Sequence, residues 1–249
     1  MPSQRGSSDA ADSTYPRIVA CGDCALTVEF GAEIGIDLNN RVMALDAMLR
    51  DLGPPVIETV PTYRALLVTY DARRTDFDTI AAQVKDCCAS LPGWKPNGRH
   101  WVVPVVYGDQ VGIDLDYIAK QHGMTAKEVI RRHSSAQYRV YMIGFMPGFT
   151  YLGGLDEVLA TPRRATPRMA APPGSVTIGG AQTAITSIEA PCGWHIIGRS
   201  PVRAFMPQRE PACLFAAGDV VSFEPLAIEE FEALSLAAYT GEPVARRVA

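Results

Sequence analysis

Gly144-Phe145-Met146-Pro147-Gly148-Phe149-Thr150-Tyr151-Leu152-Gly153-Gly154-Leu155 sets three aromatic side chains among four glycines and a proline. It directly follows Gln137 to Ile143, an apolar run that reads as a strand. Proline fixes φ, and glycine lets a backbone approach its neighbours closely. The run therefore reads as a rigid loop whose rings either plug a barrel or line a ligand pocket. Working outward, nine glycines and seven prolines fall among the 58 residues from Gly144 to Pro201, against 40 in all 249. That density leaves room only for short β runs, such as Ser175 to Ile178, Ala184 to Ile188 and His195 to Ile197. Short strands separated by frequent turn signals predict a compact, mainly β barrel. Trp101 to Tyr107 and Val220 to Phe223 supply further strands. Asp114 to Gln121 and Thr125 to His133 read as short helices, the second opened by a Thr125-x-x-Glu128 capping box. Ala227 to Tyr239 reads as a closing helix.

The first half has another texture. Arg17 to Phe30 reads as a hairpin. Asp37 is placed to cap a helix carrying Leu38, Val42, Leu45, Met48, Leu49 and Leu52 at helical spacing, ended by Gly53-Pro54-Pro55. Val56 to Pro61 and Ala65 to Tyr70 follow as strands, and Asp76 to Leu91 as a second helix. The order ββαββα predicts a small two-layer α+β domain. Pro92 to Gly98 is the linker expected between the two. The expected organisation is a disordered leader at 1–15, the α+β domain at 16–95, the barrel at 96–240 and a tail at 241–249.

Composition narrows the class. The chain is 47% hydrophobic and 20% charged with a net charge of −4, values of an ordinary globular protein that argue against a nucleic-acid or anionic-membrane partner. No apolar run reaches the roughly 20 residues a membrane span needs. The polar N-terminus lacks the apolar core of a signal peptide, so a cytoplasmic protein is expected. Of six cysteines, Cys21 and Cys24 form a C-x-x-C, but a strand follows it where a redox motif wants a helix. The hairpin turn Gly22-Asp23 explains that spacing instead. Cys87, Cys88, Cys192 and Cys213 read as buried or incidental thiols.

No P-loop, G-x-G-x-x-G, H-E-x-x-H or G-x-S-x-G motif is present. No two histidines share a metal-ligand spacing, so no built-in metal site is expected. Three loops remain as candidates. The first is the aromatic loop, with Phe145, Pro147, Gly148, Phe149 and Tyr151. The second is Pro162 to Arg168, where Arg163 and Arg168 suggest a braced anion clamp, although a solvated basic turn has the same composition. The third is Ala190 to Pro201, with Trp194, His195 and Arg199. His195 is the leading acid–base candidate and His133 the second, each with a structural role as the bland alternative. His100 and His122 read as incidental.

At these loops the sequence resembles the KipI family, which includes the B subunit of 5-oxoprolinase (PxpB) and proteins labelled allophanate hydrolase subunit 1. The resemblance rests on Gly144 to Leu155, Pro162 to Arg168, Pro172 to Val176, Gly180-Ala181-Gln182-Thr183 and Gly193 to Pro201. Weaker matches, among them Asp114-Leu115 and Gly218-Asp219, extend it over about Arg17 to Pro225. It implies a cyclophilin-like barrel behind the α+β domain and adds Gln182 to the site residues. It further implies a KipA-type partner (the C component of 5-oxoprolinase) and a LamB/YcsF-type A component. The implied reaction is cleavage of 5-oxoproline to glutamate with ATP, Mg being shared among the partners. A carboxyltransferase subunit of a urea carboxylase or allophanate hydrolase system is an alternative, and a KipI-like inhibitor of a histidine kinase a second. The sequence departs from the family pattern at Cys192, where glycine is expected, and at Thr186, where tyrosine is common.

Overall fold

The computed structural model describes residues 15–94 and 98–248. The expected leader and the middle of the expected linker lie outside the described residues. The chain divides into two compact units, 1–94 and 95–249.

In the first unit, β1 (Arg17–Ala20) and β2 (Ala25–Glu29) flank a turn that contains both cysteines of the C-x-x-C. Both thiols are exposed. Helix α1 (Ile36–Leu52), strands β3 (Val56–Pro61) and β4 (Ala65–Tyr70), and helix α2 (Phe77–Ala89) follow. The strands form one antiparallel sheet in the order β1-β2-β4-β3. Period-2 alternation turns Leu26, Val28, Leu66 and Val68 to one face, where they meet Val42, Leu45 and Leu49 of α1 and Ile80 and Val84 of α2. Each such side chain contributes roughly 1.5–3 kcal/mol when fully buried. Asp37 lies in the first turn of α1 rather than at its cap, which is Gly35. Its charge still complements the helix dipole there. Asp76 does cap α2, accepting from the Thr79 amide at 2.8 Å.

The second unit opens with β5 (His100–Tyr107), α3 (Leu115–Gln121), α4 (Ala126–Ser135), β6 (Gln137–Ile143) and β7 (Thr150–Gly153). Then come β8 (Arg168–Ala171), β9 (Ser175–Gly179), β10 (Gln182–Ile185), β11 (Ala190–Cys192), β12 (His195–Arg199), β13 (Val220–Pro225), α5 (Ile228–Tyr239) and β14 (Arg246–Val248). Seven strands run β12-β9-β10-β7-β6-β13-β5, and β12 pairs back onto β5 through Gly198–Tyr107 and Arg199–Val106. The ring is closed, so the barrel is mainly β as expected. Its core joins Val103, Val105, Tyr138, Val140, Leu152, Ile178, Ile185, Ile197 and Phe223 to Leu115, Ile118 and Val129 from the helices. The β5–β13 pair is parallel, with Val220 beside His100. Residues expected as part of a tail, Arg246–Val248, instead pair with β5 along His100–Val102. Strands β8 and β11 form a separate two-stranded ribbon.

Candidate functional site

Side chains alternate across each barrel strand, so every inward residue has outward neighbours. On β7, β9, β10 and β12 the outward set contains Tyr151, Gly179, Ala184 and Ile196. There Phe149, Ala171, Ala184, Cys192, Trp194 and Ile196 build a second small core. Small residues at 171, 179 and 184 make the room that the large rings occupy. Beside this cluster is a cleft of about 300 Å³ lined by Phe145, Phe149, Tyr151, Arg163, Arg164, Pro167, Pro191, Cys192, Gly193 and Trp194. The rings meet edge to face or tilted: Phe149 lies 4.6 Å from Tyr151 and 6.5 Å from Trp194 between centroids. Phe145 stands at the rim, 72% exposed, with a left-handed backbone at φ 70.

The three loops therefore do converge, and five of the expected residues line one cleft: Phe145, Phe149, Tyr151, Arg163 and Trp194. Pro147 and Gly148 shape the aromatic loop from behind. The Pro147 carbonyl accepts from Ser187 Oγ, and Gly148, at φ 73, lies against Phe205. Gln182 stands opposite Gly179 at the start of β10 and does not line the cleft. Arg199 is elsewhere as well, donating to the Pro173 carbonyl at 2.9 Å with its guanidinium over Phe231.

The two expected clamp arginines have different surroundings. Arg163 makes no hydrogen bond or ion pair with the described residues, and its Cζ stands 5.7 Å from the Trp194 ring centroid. Arg168 is engaged fork to fork with Asp114, through two bonds of 2.7 Å. Arg164 reaches the same carboxylate at 3.2 Å. Asp114 enters the sequence reading only as the start of a helix and as a weaker match to the family; its side chain makes no cap bond.

Neither histidine lines the cleft. The His195 ring is buried and stacked on Tyr117 at 4.9 Å, its Nε2 donating to the Pro162 carbonyl at 3.0 Å. That leaves Nδ1 without a partner among the described residues. His133 lies in the barrel core. Thr183 gives its proton to the Thr177 carbonyl, so it accepts from His133 Nε2, and His133 Nδ1 accepts from the Tyr107 hydroxyl at 2.8 Å. Burial lowers the His133 pKa to about 3, so this imidazole stays neutral and structural. Of the two departures, Cys192 lines the cleft, its sulfur accepting from the Trp194 amide at 3.4 Å. Burial pushes its thiol pKa up. Thr186 faces away, donating to the Pro172 carbonyl.

A family model described as carboxyltransferase domain, subdomain C and D, matches residues 16–215. The chain belongs to that family, and within it to the KipI and PxpB relatives. It is 35% identical over 229 residues to the B subunit of 5-oxoprolinase from Bacillus subtilis, covering 87% of this chain and 95% of the relative. The protein of that name from Escherichia coli O157:H7 is 36% identical over 84% of this chain and 95% of its own length. Among solved structures, TTHA0988 matches at a TM-score of 0.73 and 32% identity over 82% of this chain; the chain spans 40% of that longer protein. Kluyveromyces lactis urea amidolyase shares the fold at a TM-score of 0.77 and 19% identity, over 90% of this chain and 16% of its own. Among the described residues no helix is long and apolar enough to cross a membrane.

Proposed function

We propose that this chain is the B-type subunit of an ATP-dependent 5-oxoprolinase, which opens the lactam of 5-oxoproline to glutamate. Its partners in this reading are a KipA-type protein, serving as the C component, and a LamB/YcsF-type A component. What supports the reading most is the 35% identity over nearly the whole length of a protein named as the B subunit of 5-oxoprolinase. The cleft chemistry agrees with it. 5-Oxoproline is a small flat ring bearing a carboxylate; Phe149, Tyr151 and Trp194 provide aromatic faces, and Arg163 a guanidinium whose fork suits a carboxylate or phosphate. ATP enters as a co-substrate of the complex. None of the residues lining the cleft is a carboxylate; Mg, in this reading, is shared with the partner proteins. The chain alone is then inactive. On this reading the ββαββα unit precedes a cyclophilin-like barrel, and the assembly is cytoplasmic.

The test is 5-oxoproline-dependent ATP hydrolysis with glutamate release, by the chain alone and by the chain co-purified with the products of its neighbouring genes. Turnover by the full set alone is the expected result. A stable complex without 5-oxoproline turnover would sink the proposal. The description of the matching family model favours one other reading, a carboxyltransferase that acts on urea-like substrates. That reading requires bicarbonate, so activity in bicarbonate-free buffer excludes it.

A further inference from the structure

Arg163 has no hydrogen-bond or ion-pair partner among the described residues, yet the loop that carries it is fixed at several points. Before it, the Pro162 carbonyl accepts from His195 Nε2 at 3.0 Å. Just after it, the Arg164 amide donates to the Gly193 carbonyl at 2.8 Å. At the loop's far end Arg168 grips Asp114 with two bonds, and Arg164 adds its own contact to Asp114 Oδ1. Asp114 is itself clasped to β12 by both its backbone and its side chain: its amide donates to the Ile196 carbonyl at 2.8 Å, and its Oδ2 accepts from the Ile196 amide at 2.7 Å. One carboxylate, 5% exposed, thus joins the arginine loop to the strand that directly follows Trp194.

We propose that Asp114, which does not line the cleft, is the positioning residue for Arg163, holding the 162–168 loop so that this guanidinium lies over Trp194. A fork-to-fork pair commits two of an arginine's five N–H donors, and the side chain's orientation, to the carboxylate, whereas an unpaired arginine offers all five to a ligand. Asp114 separates these roles within one short loop. It holds Arg168 by two bonds of 2.7 Å and Arg164 by one of 3.2 Å, and leaves Arg163 without a hydrogen-bond or ion-pair partner among the described residues. Both flanks of Arg163 are fixed, so its side chain meets an anion without the loop having to order first. That is the preorganisation that electrostatic stabilisation requires, and misplacing such a group by about 1 Å can cost roughly 10²-fold in rate.

The proposal rests on the reading that the cleft binds an anionic substrate, so the experiment has two arms. The first arm uses no substrate. The assembled complex is treated with phenylglyoxal, which adds to unpaired guanidinium groups, and the modified arginines are mapped by peptide mass spectrometry. Wild type should lose Arg163 first, with Arg168 protected at least about tenfold, since charge-assisted fork pairs are the strong ones. Asp114→Asn should expose Arg164 and Arg168. Equal reaction at Arg163 and Arg168 in wild type would overturn the proposal. The second arm is a double-mutant cycle on 5-oxoproline turnover. Asp114→Asn and Arg163→Ala should each lower kcat/KM by roughly 10²-fold, and the double variant should fall no further than Arg163→Ala alone. Losses that multiply would make Asp114 a merely structural residue and refute the positioning role, as would wild-type kinetics for Asp114→Asn while Arg163→Ala is impaired. If Asp114→Asn does not fold, Arg168→Lys takes its place, keeping the charge and losing one prong; it should show the same non-additivity. Protected Arg168 beside an Arg163→Ala variant of unchanged turnover would refute the anionic-substrate reading, and the positioning role with it, while leaving the pinned loop intact.

Discussion

Gly179 lies directly beneath the indole of Trp194: a Cβ built on it would stand 2.4 Å from Cδ2, 2.5 Å from Cγ and 2.6 Å from Cε2. Real carbon contacts do not approach so closely, and a ring packed among Phe149, Tyr151 and Cys192 has no short way to yield. Gly179→Ala should therefore push the indole into the cleft. The expected cost is about 1–3 kcal/mol of stability, as for other overpacked sites, with substrate affinity weakened in parallel. A melting curve and a KM for the assembled complex check this. An unchanged Tm together with unchanged KM would mean that the indole is not fixed against Gly179.

The two clamp arginines should separate cleanly. Arg163→Ala removes an exposed guanidinium with no hydrogen-bond or ion-pair partner among the described residues and should leave Tm within the scatter of wild type, with kcat/KM down roughly 10²-fold. Arg168→Ala leaves the buried Asp114 carboxylate with only Arg164 and the Ile196 amide, and should cost roughly 1–3 kcal/mol in stability, the range for a buried charged group that loses its best partner. Urea unfolding midpoints read the second effect, and steady-state kinetics the first. A large stability loss for Arg163→Ala would contradict its unpaired state.

Phe145 and Phe149 lie in the same loop and should respond oppositely to truncation. Phe145 sits at φ 70 and is 72% exposed, so its ring adds little packing. Phe145→Gly relieves about 1–2 kcal/mol of left-handed strain, against the roughly 0.5–1 kcal/mol that glycine's unfolded-state freedom costs. Its Tm should equal or exceed wild type even as the cleft loses a wall. Phe149, 5% exposed, should lose roughly 3–5 kcal/mol as Phe149→Ala. Equal destabilisation at both positions would refute the strain argument.

His133 sets a pH dependence. Its pKa is lowered to about 3 in the folded chain by burial, whereas an unfolded histidine titrates near 6.5. Between those values the unfolded chain holds one more proton, so stability falls as pH falls, by about 1.4 kcal/mol per unit from this residue. The loss starts near pH 6.5 and is complete near pH 3. Comparing wild type with His133→Gln from pH 6.5 down to 5 isolates it, because the depressed carboxylates Glu128 and Asp71, at about 2, titrate lower. Parallel curves for the two proteins would count against a neutral buried imidazole.

Much of this fold is written locally. The Thr125 side chain accepts from the Glu128 amide as its spacing implies, Leu38, Val42, Leu45 and Leu49 of α1 pack against the sheet while Leu52 at its end is exposed, and glycine and proline cut the second half into strands a few residues long. That the aromatic and arginine loops line one cleft could be inferred from their closeness in the chain. What escaped is non-local. Nothing near Arg164 or Arg168 in the chain announces Asp114, which lies 50 and 54 residues away. Likewise His133 looks like a helix-end histidine until Thr183 and Phe223 enclose it. The strand at 246–248 forms because β5 leaves part of one edge open beside its short contact with β12.

The family match ends at residue 215, but the ring is completed by β13 at Val220–Pro225. During synthesis, β5 and β6 must wait as two raw sheet edges until those last residues emerge, more than a hundred positions after β5 itself. Any protein cut back to the limits of the match would keep those edges for good. Exposed, apolar edges of that kind recruit other chains, so the shortened form should be found in aggregates rather than as an independent barrel.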